Sequence, residues 1–284
     1  MKLLVFGEVL FDIYGDEKYI GGAPLNFSAH SSREGSDVFL LSAVGRDALG
    51  EIALDKIRNY GVNTEYIHRS QSHSTGVCNV TLDTHGVPRY ELVQNTAYDN
   101  IPFNNELEGV SFNGLYFGTL ALRSMYNRET LKRIISSCRL DEIFVDINVR
   151  KPFCDKESIL IGLNNATVLK ISDEELPFVI NEIFGFCECD IDSYVKMISE
   201  KFTGIKIILI TCGEKGSVAY NIKSKKVFRC DAVKTEIVST VGAGDSFSAA
   251  FLARYLDKQD IGECLQYASQ VSAYVVSKKD AIPD

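Results

Sequence analysis

Short apolar runs alternate with helical patterns along this chain, and that order constrains its fold more than any other feature. Leu3–Glu8, Val38–Val44, Leu115–Leu120, Phe144–Ile147, Val168–Ile171 and Ile207–Thr211 read as buried strands. Between them, Leu49, Ile52, Ala53, Ile57 and Tyr60 follow a helical period that Gly61 ends. Leu131, Ile134, Ile135 and Cys138 form a second helical face, Leu176, Val179, Ile180 and Ile183 a third, and Tyr194, Val195, Ile198 and Phe202 a fourth. A β-α-β-α order predicts an α/β fold: a mostly parallel sheet with helices on both faces. Two stretches break the rhythm. Cys78, Val80 and Leu82 alternate with polar residues, Thr84-His85-Gly86 offers a turn, and Arg89–Val93 returns. Phe11–Ile20 also alternates, so the two stretches are expected to form a small β appendage. Ser217–Asn221 and Val227–Cys230 read as a second hairpin around a solvated Lys223–Lys226 loop. With no internal repeat and no Pro/Gly/Ser linker, one domain over 1–284 with a flap is the simplest organisation.

The 284 residues are 45% hydrophobic and 24% charged, which excludes a disordered or low-complexity chain. The net charge of -8 argues against a nucleic-acid partner. No stretch reaches the roughly 18 apolar residues of a membrane span, and the opening run meets Glu8 and Asp12 too early for a signal peptide. Eight cysteines are then expected as reduced thiols in the cytoplasm, as small, partly buried residues. Cys187 and Cys189 have no nearby His and a spacing unsuited to zinc. His30, His68, His73 and His85 are scattered, and surface or lid positions are expected for them.

The chemistry concentrates in Ile237–Phe247. Phe247, Ala250, Phe251 and Tyr255 recur at helical spacing, which places Gly242, Ala243 and Gly244 at a helix N-terminus. Small residues there let backbone N–H groups converge, and the helix dipole favours an anion. Asp245 falls in the first turn, where the same positive end keeps it ionised as a general base. The pair fits phosphoryl transfer: Asp245 takes a hydroxyl proton while the cradle stabilises the moving phosphoryl group. The plain alternative is a glycine-started helix with Asp245 complementing its dipole. No Gly-x-x-x-x-Gly-Lys-Ser/Thr loop is present, and no Gly-x-Gly-x-x-Gly follows the first strand, so hydride transfer with a dinucleotide lacks its motif.

Thr240–Asp245 with Phe247 resembles the C-terminal signature of the PfkB, or ribokinase-like, carbohydrate kinases. Six further segments resemble the family in its order: Gly7-Glu8 with Asp12; Gly21-Gly22-Ala23-Pro24 with Asn26; Gly45 with Asp47 and Gly50; Asp146, Asn148 and Arg150; Ser172-Asp173-Glu174-Glu175; and Thr211, Gly213, Glu214 and Gly216. Tyr98-Asp99-Asn100 is similar to a segment near the substrate pocket of fructokinase-like members. The resemblance covers essentially the whole chain. It implies a three-layer sandwich with a small β lid, built here from segments of about 11–22 and 76–98. It implies transfer of the γ-phosphate of ATP, with Mg²⁺, to a sugar hydroxyl. On that resemblance Asp245 is the base, and Gly242, Ala243 and Gly244 are the anion hole. Asp12, Gly21, Gly22 and Asn26 bind sugar, and Arg150 points at phosphate or substrate oxygens. Thr211, Gly213 and Gly216 line the nucleotide, and Glu175 helps hold hydrated Mg²⁺.

Dull readings of the same residues stand beside these: a strand-end aspartate for Asp12, a turn at Gly21-Gly22, a surface charge for Arg150, and an acidic first helical turn at Asp173–Glu175. Ser239, Asp280 and Ser172 depart from the family pattern, where Asp, Gly and Asn are usual. The first two leave activation by a monovalent cation (K⁺) open. Gly-Gly-Ala-Pro, Phe117–Leu120 and Asp-x-Asn-x-Arg together look fructokinase-like, which makes fructose the leading substrate. Another ketose, a sugar acid, a nucleoside or a sugar phosphate stays open, with Arg89, Arg123 and Arg150 as cations for the last. So does a non-catalytic sugar sensor on the same fold. The edge of a protruding lid offers a surface for a homodimer.

Overall fold

The computed structural model describes residues 1–82, 88–185 and 189–283. The Thr84-His85-Gly86 turn, Cys187 and the Arg89 side chain lie outside the described residues. In chain order the elements are β1 (Lys2–Phe6), β2 (Leu10–Tyr14), β3 (Glu17–Gly21), α1 (Ala23–Arg33), β4 (Asp37–Gly45), α2 (Ala48–Asn59), β5 (Ile67–Ser70), β6 (Gly76–Leu82), β7 (Pro88–Leu92), β8 (Ser111–Gly118), α3 (Met125–Ser137), β9 (Arg139–Asp146), α4 (Lys156–Asn165), β10 (Val168–Ser172), α5 (Leu176–Phe184), α6 (Ile191–Lys201), β11 (Ile207–Thr211), β12 (Ser217–Asn221), β13 (Lys226–Cys230), α7 (Ala243–Leu256) and α8 (Ile261–Val276).

A nine-stranded sheet runs β13-β12-β11-β10-β9-β8-β1-β4-β5. All neighbours from β11 to β5 pair in parallel, while β12 pairs antiparallel with both β11 and β13. Successive strand side chains face opposite cores. Leu4 and Phe6 join the core with α3, α4, α5 and α6, while Leu3 and Val5 join the one with α1, α2, α7 and α8. This is the helix–sheet–helix architecture that the alternating pattern predicts. A separate four-stranded sheet, β3-β2-β6-β7, is built from two antiparallel hairpins joined by parallel β2 and β6, with Asp12 opposite Cys78.

The helical periodicity does not single out α1, α4 or α8. For α1 the reason is burial on every side: Ala23 through Ser31 are all buried, including Asn26, Ser28, His30 and Ser31, so no apolar stripe contrasts with a wet face. This corrects the expected surface position of His30. It is 5% exposed, and its Nε2 donates to the Ala281 carbonyl at 2.8 Å. His68 is exposed, His73 half-buried, and His85 lies outside the described residues. Cys78, Cys154 and Cys264 are buried free thiols, and Cys138, Cys212 and Cys230 are half-buried free thiols.

Arg123 joins the smaller sheet to the main one. Its Nε and Nη2 donate to Asp99 at 2.7 and 2.8 Å, and Nη2 also donates to the Val93 carbonyl just past β7. The guanidinium lies 4.9 Å from the centre of the Tyr98 ring and 4.8 Å from that of Phe153. Both members of the pair are more than nine-tenths buried. Removing one partner leaves a buried, uncompensated charge. Arg123→Met should therefore lower unfolding free energy by about 3–5 kcal/mol, and adding Asp99→Asn should recover part of that loss. Chemical denaturation of the two variants measures both effects; an unchanged midpoint for Arg123→Met would show the pair to be energetically idle.

Candidate active site

Side chains of several elements converge at the carboxyl ends of the parallel strands, where open α/β sheets place their ligands. The N-terminus of α7 forms the centre. Gly242 precedes the helix at φ +80°, and a Cβ there would lie 2.8 Å from both the Cβ and the carbonyl oxygen of Ala281. Only glycine tolerates both that backbone and that neighbour. No side chain caps α7; the Ala243 amide donates to the Thr240 carbonyl at 3.3 Å, which leaves the amides of Gly244 and Asp245 as the first-turn donors open to a ligand. The C-terminal segment that packs on Gly242 is pinned to α1 by His30 and by a hydrogen bond from Arg33 to the Pro283 carbonyl. Ser272 of α8 donates to the Ala243 carbonyl at 3.0 Å and braces the same turn.

Asp245 keeps part of its surface open to the cleft, although protein surrounds it on most sides. Asn26 Nδ2 donates to its Oδ2 at 2.8 Å, so α1 and α7 meet at the acid. Burial raises the Asp245 pKa, while the Asn26 hydrogen bond and the charges of Lys170 and Arg150 pull it back. Asn26, expected at the sugar, thus also positions Asp245, and its Oδ1 is buried without a partner among the described residues.

Asp12 is half-buried on β2, with its Oδ2 3.3 Å from where a Cβ on Gly21 would stand. Burial raises its pKa, opposed by Cys78 and Arg150. Gly22 sits at φ +113°, and a Cβ there would lie 2.5 Å from the Glu8 carbonyl. Arg150 is exposed beyond β9, and its charge acts on Glu8, Asp12 and Asp245 together. Glu175 is half-buried at the start of α5. Its Oε1 accepts from the Val149 amide at 2.6 Å and its Oε2 from the Ser172 amide at 2.9 Å. Each carboxylate oxygen keeps a second lone pair that can accept from metal-bound water. The Ser172 hydroxyl oxygen accepts in turn from the Glu175 amide at 3.2 Å. Thr211 ends β11, and Gly213 and Gly216 shape the exposed turn beyond it, where the Cys212 amide donates to the Gly216 carbonyl at 2.8 Å.

The sequence motifs leave two charged groups without a role here. Glu8 is 3% exposed, just past β1. Burial raises its pKa to about 7, against the pull of its own amide, Arg150 and the Ala23 amide. Lys170 sits in the middle of β10, paired with Asp146. Both were visible as charges inside or at the end of apolar runs. The role of Asp47 is structural. It caps α2 through Gly50 and accepts from the amide and hydroxyl of Thr75, tying β4 to the start of β6. A cavity of about 1130 Å³ also opens between α5, α6, β12 and β13, lined by Asp173, Phe178, Tyr194, Tyr220 and Arg229; none of the converging groups above lines it. Among the described residues no cluster of three or more His, Cys, Asp or Glu could hold a metal ion by itself.

This geometry agrees with comparison to known proteins. The model of the pfkB family of carbohydrate kinases matches residues 2–284. The chain is 25% identical to the ATP-dependent 6-phosphofructokinase of Thermoanaerobacterium thermosaccharolyticum over 99% of this chain and 90% of that protein. It is 27% identical to Probable fructokinase-5 of Arabidopsis thaliana over 99% and 93% of the two chains. The crystal structure of a Pyrococcus horikoshii sugar kinase in complex with ATP superposes with a TM-score of 0.79 at 26% identity, covering 99% of this chain and 94% of that one. The chain belongs to the pfkB family of carbohydrate kinases, phosphotransferases with an alcohol group as acceptor.

The raised pKa of Glu8 couples stability to pH. A carboxyl that binds its proton more tightly in the folded state stabilises the fold at low pH and loses that contribution as pH rises through its folded value. The melting temperature should fall between pH 5 and pH 8, and Glu8→Gln should flatten that slope, as read by thermal unfolding across the range. An equal slope in both proteins would remove Glu8 as its source.

Proposed function

We propose that the chain is an ATP-dependent sugar kinase with fructose as its leading acceptor. The observation that carries the reading is Asp245, held by Asn26 beside the uncapped start of α7. Asp245 takes the proton of the acceptor hydroxyl. That oxygen forms its bond to the γ-phosphorus as the bond from phosphorus to the leaving ADP oxygen breaks. The amides of Gly242, Ala243 and Gly244 face the oxygens of the moving group. Asp12, Gly21 and Gly22 hold sugar hydroxyls from the side of the smaller sheet, which acts as the lid of one kinase domain spanning 1–284. Asn26 Oδ1 and Glu8 Oε2 add two buried acceptors with no partner among the described residues. Thr211, Gly213 and Gly216 line the nucleotide. Ile237, Val238 and Val241, each more than half exposed before α7, offer an apolar surface to its base. Mg²⁺, when bound with the nucleotide, would neutralise phosphate charge, and Glu175 would hold its water.

The relatives include a kinase of fructose 6-phosphate and fructokinases. A neutral sugar is favoured by the state of the cations. Arg123 is buried and paired with Asp99, and the charge of Arg150 acts on Glu8, Asp12 and Asp245. Among the described residues, little free positive charge is then left for a second phosphate. Purified protein with ATP and Mg²⁺ should release ADP with fructose and far less with fructose 6-phosphate, ribose, adenosine or 2-keto-3-deoxygluconate. Preference for any of those four would replace fructose as the acceptor, and no turnover with any acceptor would favour a sensor. Asp245→Asn should lower kcat by about 10²–10⁴ while the protein stays folded; near-normal turnover would refute the base.

A further inference from the structure

Beneath the mouth of α7 lies a charge that this mechanism does not use. Lys170 stands in β10 between Leu169 and Ile171, both fully buried. Its Nζ donates to Asp146 Oδ1 at 3.0 Å and Oδ2 at 2.9 Å, and the two side chains are 8% and 1% exposed. A buried ion pair adds little over an apolar pair of the same volume. Stability alone therefore gives weak grounds for a lysine in this strand.

The position of Gly244 supplies the second observation. Gly244 lies within α7 and has no positive φ, so its backbone does not require glycine. A Cβ there would lie 3.0 Å from Lys170 Nζ. Glycine leaves room here: with no Cβ in the way, the ammonium rises to the first turn of the helix. Asp146 takes two of the three ammonium protons, and the remaining one is free to turn toward that gap.

We infer that Lys170 is a positioning residue for phosphoryl transfer, whose ammonium, reaching the α7 mouth through the gap at Gly244, adds fixed positive charge to the cradle and holds Asp245 ionised. The inference rests on Asp245 being the base. The groups that act on Asp245 come from every element around it: Glu8 beyond β1, Asn26 of α1, Tyr116 of β8, Asp146 of β9, Arg150 beyond β9 and Lys170 of β10. Glu8 and Asp146 oppose a further negative charge, while Lys170 and Arg150 favour it. Arg150 is exposed and screened by water, whereas Lys170 acts through protein. Burial opposes the charge on Lys170, but Asp146, Glu175 and Asp245 outweigh it and hold its pKa above the usual lysine value. As Asp245 accepts the hydroxyl proton, negative charge passes to the phosphoryl group over the same turn. The ammonium therefore stays opposite negative charge before and after the step.

The test follows the carbon-13 carboxyl signal that Asp245→Asn removes, titrated by NMR, together with kcat against pH. Asp146→Asn alone is the reference, and Asp146→Asn with Lys170→Met removes the ammonium without stranding a buried carboxylate. The double variant should raise the Asp245 midpoint by about one pH unit or more and lower kcat at pH 6.5 by about tenfold, with partial recovery at pH 8.5 and a sugar KM within about twofold. Gly244→Ala, which keeps both charges but closes the gap, should move the midpoint the same way and serves if the double variant does not fold. An Asp245 midpoint unmoved in the folded variants overturns the role of Lys170, even if Asp245→Asn is inactive. Wild-type turnover by Asp245→Asn instead overturns the base assignment on which it rests.

Discussion

The hydrogen bond from Asn26 to Asp245 is the point on which the rest of the centre depends, because it is where two helices from opposite ends of the chain are brought to one register. α1 packs on β8 through Phe27, whose ring stacks on Tyr116 at 3.8 Å. α7 lies beside it on the same face of the sheet. The C-terminal segment closes the arrangement, since His30 and Arg33 of α1 hold it against Gly242. A shift of α1 would thus move the acid's partner and the support of the helix mouth together. A centre so built is fixed by packing of whole elements, not by loop conformation, which suits a reaction whose barrier falls chiefly through placement and electrostatics.

The parallel sheet was legible because its strands are buried on both faces and stand out as apolar runs between helical periods. Val38–Val44, Val168–Ile171 and Ile207–Thr211 all lie within observed strands, and the Leu3–Glu8 run overruns its strand by two residues. The small sheet was legible for the opposite reason: Cys78–Leu82 alternates. Among the helices that failed to show, α4 and α8 included, α1 matters most, because the burial of His30 went with it. A helix enclosed by sheet, neighbouring helix and C-terminal segment can carry Asn, Ser and His inward, and periodicity then has nothing to report.

The site divides along a similar line. Gly242–Asp245 could be placed from local rules, because glycine and aspartate at a helix start have a local physical meaning. The partnership of Asn26 with Asp245 spans 219 residues and is a property of the tertiary fold alone. Glu8 and Lys170 were signalled, as charges where an apolar run demands none, but a sequence does not show whether such a charge is paired, capping a helix or facing a ligand. Glu175 illustrates the same limit: nothing in an acidic first turn shows that the Val149 and Ser172 amides fix both of its carboxylate oxygens.

The balance of charge in the cleft bears on how the donor must arrive. Asp12, Asp146, Glu175 and Asp245, with Glu8 in part, stand against Lys170 and Arg150. The cleft is therefore negative before a triphosphate enters, and helix amides supply only partial charges. A polyanion can settle there only if it brings compensating cations with it. On the proposed reading Glu175 would meet that requirement at one remove, through water, as suits a strongly hydrated Mg²⁺. On that reading the excess of acids in the cleft would act as a filter that favours a metal-neutralised nucleotide and a neutral polyol over a second bare anion beside them.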